Sequence, residues 1–197
     1  MKASDSGKNP GDNFGTKDKN AKPLTLQNVW SNKKMTDIQI RNANVRDCKL
    51  IVRFLRAALQ DMEAAGGHVV NSDETFWRDF SANVSRTVQH NDRLYLLAQT
   101  GNVVVGYLEG KSNALHEVFA PRRSFHLKVI YVVPEARNQG IATSLVHMAL
   151  QWATEQGCRE ADLNVLANSR NAKALYEKIG FSVFRYEMRM QLSNHRT

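Results

Sequence analysis

The sequence predicts a mixed α+β fold in which a mostly antiparallel central sheet of six to seven strands is flanked by four helices. Apolar residues recur with strand or helix periodicity in successive segments, in the order β-α-α-β-β-β-α-β-α-β. A Gly-Asn pair between two apolar runs predicts an antiparallel hairpin. A strand, a helix and a strand over residues 125–166 predict one right-handed parallel crossover.

The chain has 197 residues and a net charge of +8, which suit one domain with a basic surface. Residues 1–34 hold seven lysines against three aspartates, a net charge of +4, among many Gly, Pro and Asn residues. We expect this segment to be a disordered basic tail, although a tag mixed with native sequence explains it equally well. The predicted domain spans residues 35–197, and one phosphate-rich ligand would account for its remaining charge.

The first part of the domain is predicted to be one strand and two helices. Residues 36–41 alternate isoleucine with polar side chains, as in a half-buried strand. Asn44 is placed to cap a helix that ends at the Gly pair 66–67. Ser72 is a second N-cap candidate, for a helix that runs to about residue 89.

The middle of the chain is predicted to be a hairpin followed by a long connection. Strands at 94–98 and 103–108 are rich in Leu, Val and Tyr and are joined by residues 99–102. Residues 111–125 form an irregular connection, with an edge strand within 115–119 as an alternative.

The last part of the chain supplies the crossover and the closing elements. A strand from about residue 125 to 133 precedes a helix at 139–156, and a second strand at 161–166 precedes a helix at 172–179. A closing strand is predicted over 181–192, where Met and Leu alternate with polar residues.

The turn that opens the crossover helix is basic and contains a glycine. Residues 132–143 run from an apolar strand through Arg137 and Gly140 into the helix. A helix N-terminus exposes backbone N–H groups at the positive end of the helix dipole, so the turn suits an anion, above all phosphate. Close packing of the helix on its strand is the alternative explanation for Gly140.

Two stretches together resemble a known family. The first is Arg137-Asn138-Gln139-Gly140-Ile141-Ala142, which fits the pattern Arg/Gln-x-x-Gly-x-Gly/Ala. The second is Leu175-Tyr176-Glu177-Lys178-Ile179-Gly180-Phe181, which fits Leu-Tyr-x-Lys-x-Gly-Phe. In these motifs, and in element order over residues 36–192, the chain resembles the GNAT superfamily of acetyl-CoA-dependent N-acetyltransferases. The resemblance implies a GNAT-like fold.

The resemblance also implies where acetyl-CoA binds. Gly140 would let the turn approach the pyrophosphate, N–H groups of residues 139–143 would donate to it, and Arg137 would add charge. The strand that ends at Val132 and Val133 would splay from its parallel neighbour, so that the pantetheine arm pairs with its backbone. The implied contacts are Val132, Val133, Arg137, Asn138, Gln139, Gly140, Ile141, Ala142 and Thr143.

Tyr176 would be the general acid that protonates the leaving thiolate. Without the motif, a tyrosine packed on a helix face would be the better interpretation. The family often has Asn seven residues before this tyrosine, where this chain has Ser169 between Asn168 and Asn171. Which of these three holds the pantetheine stays open, and helix capping competes as the role of Asn171.

The acceptor amine must be neutral to attack the thioester, so a base or a water chain must remove a proton. His126, Tyr131, Glu109 and Glu117 lie on or near strands that should border the acceptor, but each is equally an ordinary strand or surface residue. Acidic side chains that could attract a cationic amine are Asp61, Glu63, Asp73 and Glu74, although helix-dipole placement also explains the last two.

The expected function is transfer of acetyl from acetyl-CoA to a primary amine, on a small molecule or a protein. The alternative is an acetyl-CoA-binding sensor module whose basic tail contacts nucleic acid, a partner that we do not otherwise expect. Cys48 and Cys158 are far apart and the histidines are dispersed, so we expect neither a disulfide framework nor a metal site. No apolar run approaches a membrane span, so we expect a cytoplasmic protein with no membrane partner, and a homodimer stays open.

Overall fold

The computed structural model describes residues 38–114, 122–190 and 192. Three predictions lie outside these residues: the tail 1–34, the edge strand at 115–119 and the placement of Glu117. Within the described residues, no helix is long and apolar enough to cross a membrane.

The described strands form one five-stranded sheet in the order β1-β2-β3-β4-β5. Neighbouring strands are antiparallel except β4 and β5, which are parallel. The mixed sheet and its single parallel crossover are therefore confirmed, although the described strands number five rather than six or seven. The strands are β1 (Ile38–Asn42), β2 (Arg93–Thr100), β3 (Val103–Ala114), β4 (Arg123–Val132) and β5 (Cys158–Leu163).

The predicted closing strand at 181–192 is wrong for the residues that the structure describes. Residues 181–190 have no regular secondary structure and pair with no described strand, and Phe184 and Met188 are 90% and 94% exposed. Arg189 instead donates to the carbonyl of Gly66 at 2.9 Å. Period-two alternation marks a strand only where a sheet edge receives it, and here no ladder to β5 forms.

The four predicted helices are present, with shifted ends. They are α1 (Cys48–Ala64), α2 (Glu74–Thr87), α3 (Ile141–Glu155) and α4 (Arg170–Ile179). The Asn44 cap is confirmed, but it begins a short 3-10 turn that leads into α1. The cap at Ser72 is wrong, because Asp73 accepts from the amide of Thr75 at 2.8 Å. Further along, β5 begins three residues earlier than predicted and α4 two residues earlier.

The helices cover both faces of the sheet. On one face, Phe54 of α1 packs against Tyr107 of β3 and Tyr131 of β4, with ring centroids 6.4 and 5.7 Å away. On the other face, α3 lies so close to β3 that a Cβ on Gly106 would come within 3.1 Å of Ile141 and 3.2 Å of Leu145. The sheet is thus held between α1 and α3, which fixes where each strand end points.

A bulge and an early end of pairing open a gap between β4 and β5. Glu109 pairs with Val129 and Gly110 with Leu127, so that Lys128 is the extra residue of a β-bulge. The parallel ladder ends at Leu127 and Leu163, whereas β4 continues to Val132 beside β3 alone. Among the described residues, the second half of β4 therefore has one edge without a neighbouring strand.

Candidate active site

The gap beside β4 presents backbone groups that the sheet leaves without a strand partner. The amide of Val133 donates to Val105 of β3 at 3.0 Å, so the carbonyl of Val132 points to the other side, into the gap. There it accepts from Nε of Arg137 at 2.9 Å. The geometry therefore agrees with the expected splay, but the amide of Val133 already has a partner on β3.

The turn after β4 gathers the N–H groups of one helix end. Asn138 and Gly140 have left-handed φ angles of 62° and 80°, and the chain enters α3 at Ile141. No side chain caps this end, and the first intrahelical bond runs from the Ser144 amide to Gly140 O at 3.0 Å. The amides of Ile141, Ala142 and Thr143 therefore lack intrahelical acceptors, as an anion site requires.

Arg137 does not point at this helix end. Its Nη2 donates to Asp61 of α1 at 2.7 Å, and its guanidinium lies 5.6 Å from the ring centre of Tyr131. Burial raises the pKa of Tyr131, and the negative charge of Asp61 adds to that rise. In this structure Arg137 thus joins the end of β4 to α1, and the expected charge on the pyrophosphate would require its side chain to turn.

Tyr176 lies on α4 and is only 7% exposed. Its ring packs edge-on against Phe181 at 5.9 Å, which explains why these two motif residues stand five apart at a helix end. Burial raises the pKa of Tyr176 to about 12. The phenol stays protonated at neutral pH, and its hydroxyl has no hydrogen-bond partner among the described residues, as suits a proton donor for a ligand.

The three candidates before α4 have different surroundings. Asn168 donates through Nδ2 to the carbonyl of Ala65 at 2.6 Å and so fastens its loop to α1. Ser169 is the N-cap residue of α4, although its side chain makes no capping bond. Asn171 lies inside the helix and is exposed, so the alternative that it caps α4 is wrong.

A buried carboxylate, Glu109, lies at the Lys128 bulge. Glu109 accepts from the hydroxyl of Tyr107 at 2.8 Å and from Nζ of Lys128 at 2.6 Å, with Arg93 3.8 Å away. Burial, followed by the charge of Glu109, raises the pKa of Tyr107 well above its usual value. Since its donors enclose it, Glu109 is a weaker candidate for the base than the sequence suggested.

The acidic residues that might attract an amine have partners within the protein. Asp61 binds Arg137, and Glu63 accepts from the amide of Val70 at 3.0 Å. Asp73 caps α2, and Glu74 pairs with Arg56 at 2.6 Å. These four carboxylates are therefore engaged in holding α1, α2 and the turn in place.

Sequence reasoning missed two residues at the gap, Lys128 and Asp162. Lys128 occupies the bulge, and Asp162 of β5 lies opposite His126 of β4, with Oδ1 and Nδ1 2.5 Å apart. No local motif marks either residue. The signal that could have found Asp162 is the register of the parallel ladder, which single-sequence patterns do not determine.

A cavity of about 430 Å³ lies at the other end of α3. Its walls include Tyr95, Trp152 and Gln156, and none of the residues of the 137–143 turn. It is therefore separate from the gap, and we do not assign the donor site to it.

Comparison with known proteins identifies the class. Residues 53–181 match the model of the acetyltransferase (GNAT) family. Thialysine N-epsilon-acetyltransferase of Sus scrofa is 30% identical over 148 residues, which cover 74% of this chain and 85% of that protein. The enzyme of the same name from Mus musculus is 29% identical over 153 residues, with the same coverage of both chains.

Solved structures show the same fold. A predicted acetyltransferase with acetyl-CoA from Clostridium acetobutylicum has a TM-score of 0.65 at 17% identity, covering 82% of this chain and 100% of that one. Aminoglycoside N-acetyltransferase AAC(6')-Iy in complex with CoA has a TM-score of 0.63 at 16% identity, covering 79% and 95%.

The chain therefore belongs to the acetyltransferase (GNAT) family, which confirms the resemblance carried by the two motifs. It is an acetyl-CoA-dependent N-acetyltransferase, with acetyl-CoA as its cosubstrate. The open amides at the start of α3 and the unpaired edge of β4 fit the phosphates and the amides of that cosubstrate.

Proposed function

We propose that this enzyme acetylates the terminal primary amine of a small, amino-acid-like acceptor by direct attack on the thioester. The observation that carries the proposal is the gap between β4 and β5, which opens at the Lys128 bulge and runs towards the uncapped N-terminus of α3. A cosubstrate with its phosphates at residues 139–143 would lay its arm along β4 from Val132 back towards Lys128. Its thioester would then lie near the bulge.

Binding of the donor is proposed to use the backbone of residues 138–143 and the edge of β4. Arg137 would leave Asp61 and turn to the pyrophosphate, while Ser169 and Asn171 would hold the arm from the α4 side. Tyr176 would give its proton to the sulfur as the carbon–sulfur bond breaks. Its protonated state at neutral pH and its unpartnered hydroxyl support this role.

The acceptor class is inferred from the charge at the bulge. Lys128 is 40% exposed, and its ammonium lies at the start of the gap, 2.6 Å from Oε1 of the buried Glu109, with its exposed side open to an acceptor. A positive group there favours an acceptor that carries a carboxylate besides its amine. The relatives named for thialysine, an amino acid with a side-chain amine, agree with this class.

The test is a panel of amines assayed by thiol release from acetyl-CoA. The panel compares thialysine and lysine with the same molecules lacking the carboxylate, with a polyamine and with an aminoglycoside. We expect the amino acids to give the highest kcat/KM. In Lys128→Gln, the KM for the amino acids should rise about tenfold, the loss of one charge-assisted contact, while the KM of the decarboxylated amines stays constant.

The matched control is Lys49→Gln, on the exposed side of α1 and away from the gap. An equal preference for decarboxylated amines would contradict the proposed acceptor class. Acetyl-CoA binding without turnover of any amine would instead indicate the sensor module.

A further inference from the structure

The pair His126–Asp162 occupies the last rungs of the parallel ladder. His126 of β4 lies opposite Asp162 of β5, and the next pair, Leu127 and Leu163, is the last before the strands part. Nδ1 of the imidazole and Oδ1 of the carboxylate are 2.5 Å apart. The imidazole is therefore fixed within two residues of the Lys128 bulge.

This contact determines which nitrogen of His126 can accept a proton. A carboxylate only accepts hydrogen bonds, so in the neutral imidazole the hydrogen lies on Nδ1 and the lone pair on Nε2. Nε2 has no hydrogen-bond partner in the part of the chain that the structure describes, and the side chain is 30% exposed. An imidazole oriented by a carboxylate, with its other nitrogen open, is an arrangement suited to a general base.

The imidazole also lies on the face of the sheet away from α3. His126 pairs across the ladder with Lys111 of β3, and Lys111 shares a face with Tyr107, which contacts α1. His126 therefore lies on the α1 face of the sheet, whereas α3 packs on the opposite face at Gly106.

We propose that His126 is the base that deprotonates the acceptor amine, and that Asp162 is its positioning residue. This inference rests on the proposed acetyl transfer. Nε2 takes one proton from the ammonium, which leaves a neutral amine, and His126 later releases that proton to solvent. The amine nitrogen then forms the new bond to the acetyl carbon as the carbon–sulfur bond breaks. As the amide forms, the nitrogen loses a second proton, and this proton restores to Tyr176 the one that it gives to sulfur.

Charged groups from each neighbouring strand act on this imidazole. These are Lys111 of β3, Lys128 of β4 and Asp162 of β5. The two lysines are partly balanced, since Lys111 has Asp92 at 3.7 Å and Lys128 binds Glu109. Because a protonated imidazole cannot act as a base, the rate should fall at acid pH as His126 is protonated.

The kinetic test uses His126→Gln and Asp162→Asn with the best amine of the panel. We expect His126→Gln to lower kcat about 100-fold or more and to remove the acid limb of kcat/KM, with acetyl-CoA affinity unchanged. Asp162→Asn should lower kcat about tenfold and shift that limb. Two matched controls, His147→Gln on the exposed side of α3 and Glu160→Gln on β5, should retain the wild-type rate and profile.

A second measurement does not depend on turnover. Long-range proton–nitrogen NMR spectra of the wild-type enzyme should show His126 with its hydrogen on Nδ1, and this preference should weaken in Asp162→Asn. A hydrogen on Nε2, or an unchanged acid limb in His126→Gln, would overturn the proposal. If the amino acids prove poor acceptors while another amine shows the predicted dependence on His126, the acceptor class fails and the base stands.

Discussion

The two sides of the gap differ in the groups that line them, which are mainly backbone on one side and side chains on the other. The proposed donor side is mostly backbone, namely the amides at the start of α3 and the edge of β4 that no described strand covers, with Arg137 bound to Asp61 beside it. The proposed acceptor side consists of side chains from three strands: Glu109 of β3, Lys128 and His126 of β4, and Asp162 of β5. Affinity for acetyl-CoA and chemistry at the amine should therefore respond to different substitutions.

The largest effect on this comparison is expected at Tyr176, the proposed proton donor. Tyr176→Phe should lower kcat about 100-fold and leave acetyl-CoA affinity unchanged, because only the proton donor is lost. The buried hydroxyl has no partner among the described residues, so its removal should not destabilise the fold. Steady-state thiol release and calorimetric binding measure the two quantities.

The pH profile adds a second reading of Tyr176. Its pKa of about 12 means that the phenol keeps its proton through the neutral and mildly alkaline range. Wild-type kcat should therefore show no alkaline fall below about pH 10 from this group. Tyr186→Phe, on the exposed segment, is the matched control. If Tyr176→Phe retained wild-type kcat at every pH, the acid role would be wrong.

An intermediate effect is expected at the two ends of α3. Gly140 and Gly157 have φ angles of 80° and 75°, and a Cβ at either would meet nothing within 4 Å. Alanine at each position should therefore cost a similar strain, about 1 kcal/mol of stability. Only Gly140→Ala should also weaken acetyl-CoA binding, by about tenfold, since its methyl group enters the space proposed for the pyrophosphate.

Thermal unfolding and calorimetric titration of these two variants separate the strain from the binding effect. Equal acetyl-CoA affinity in Gly140→Ala and Gly157→Ala would show that the phosphates do not bind at the start of α3. The donor side would then have to lie elsewhere along the gap.

The smallest effect is expected at Asp61. Its exposed ion pair with Arg137 is worth less than about 1 kcal/mol, so Asp61→Asn should hardly change stability. If Arg137 turns to the pyrophosphate, loss of its ion pair with Asp61 should raise acetyl-CoA affinity about threefold, whereas Arg137→Gln should lower that affinity. A lower affinity in Asp61→Asn would instead indicate that the contact itself shapes the donor side.

The sequence predicted most of the fold, because the helices and central strands carry strong periodic patterns. The turn before α3 was predictable for a related reason, since a glycine such as Gly140 is favoured where the backbone is left-handed. The acceptor side was not, because the contact of His126 with Asp162 depends on the register of strands 36 residues apart. The predicted closing strand is wrong because the alternation of apolar and polar residues does not determine whether a sheet edge is available to pair with it.

The uncapped start of α3 bears on how such enzymes diverge. A peptide N–H binds an oxyanion in the same way whichever side chain it carries, so residues such as Gln139, Ala142 and Thr143 can drift without loss of the contact. What must be inherited is the course of the chain, set by Gly140 and by the strand before it. Related enzymes can thus change their acceptor specificity through side chains on the proposed acceptor side of the gap, while the proposed backbone contacts with acetyl-CoA stay the same.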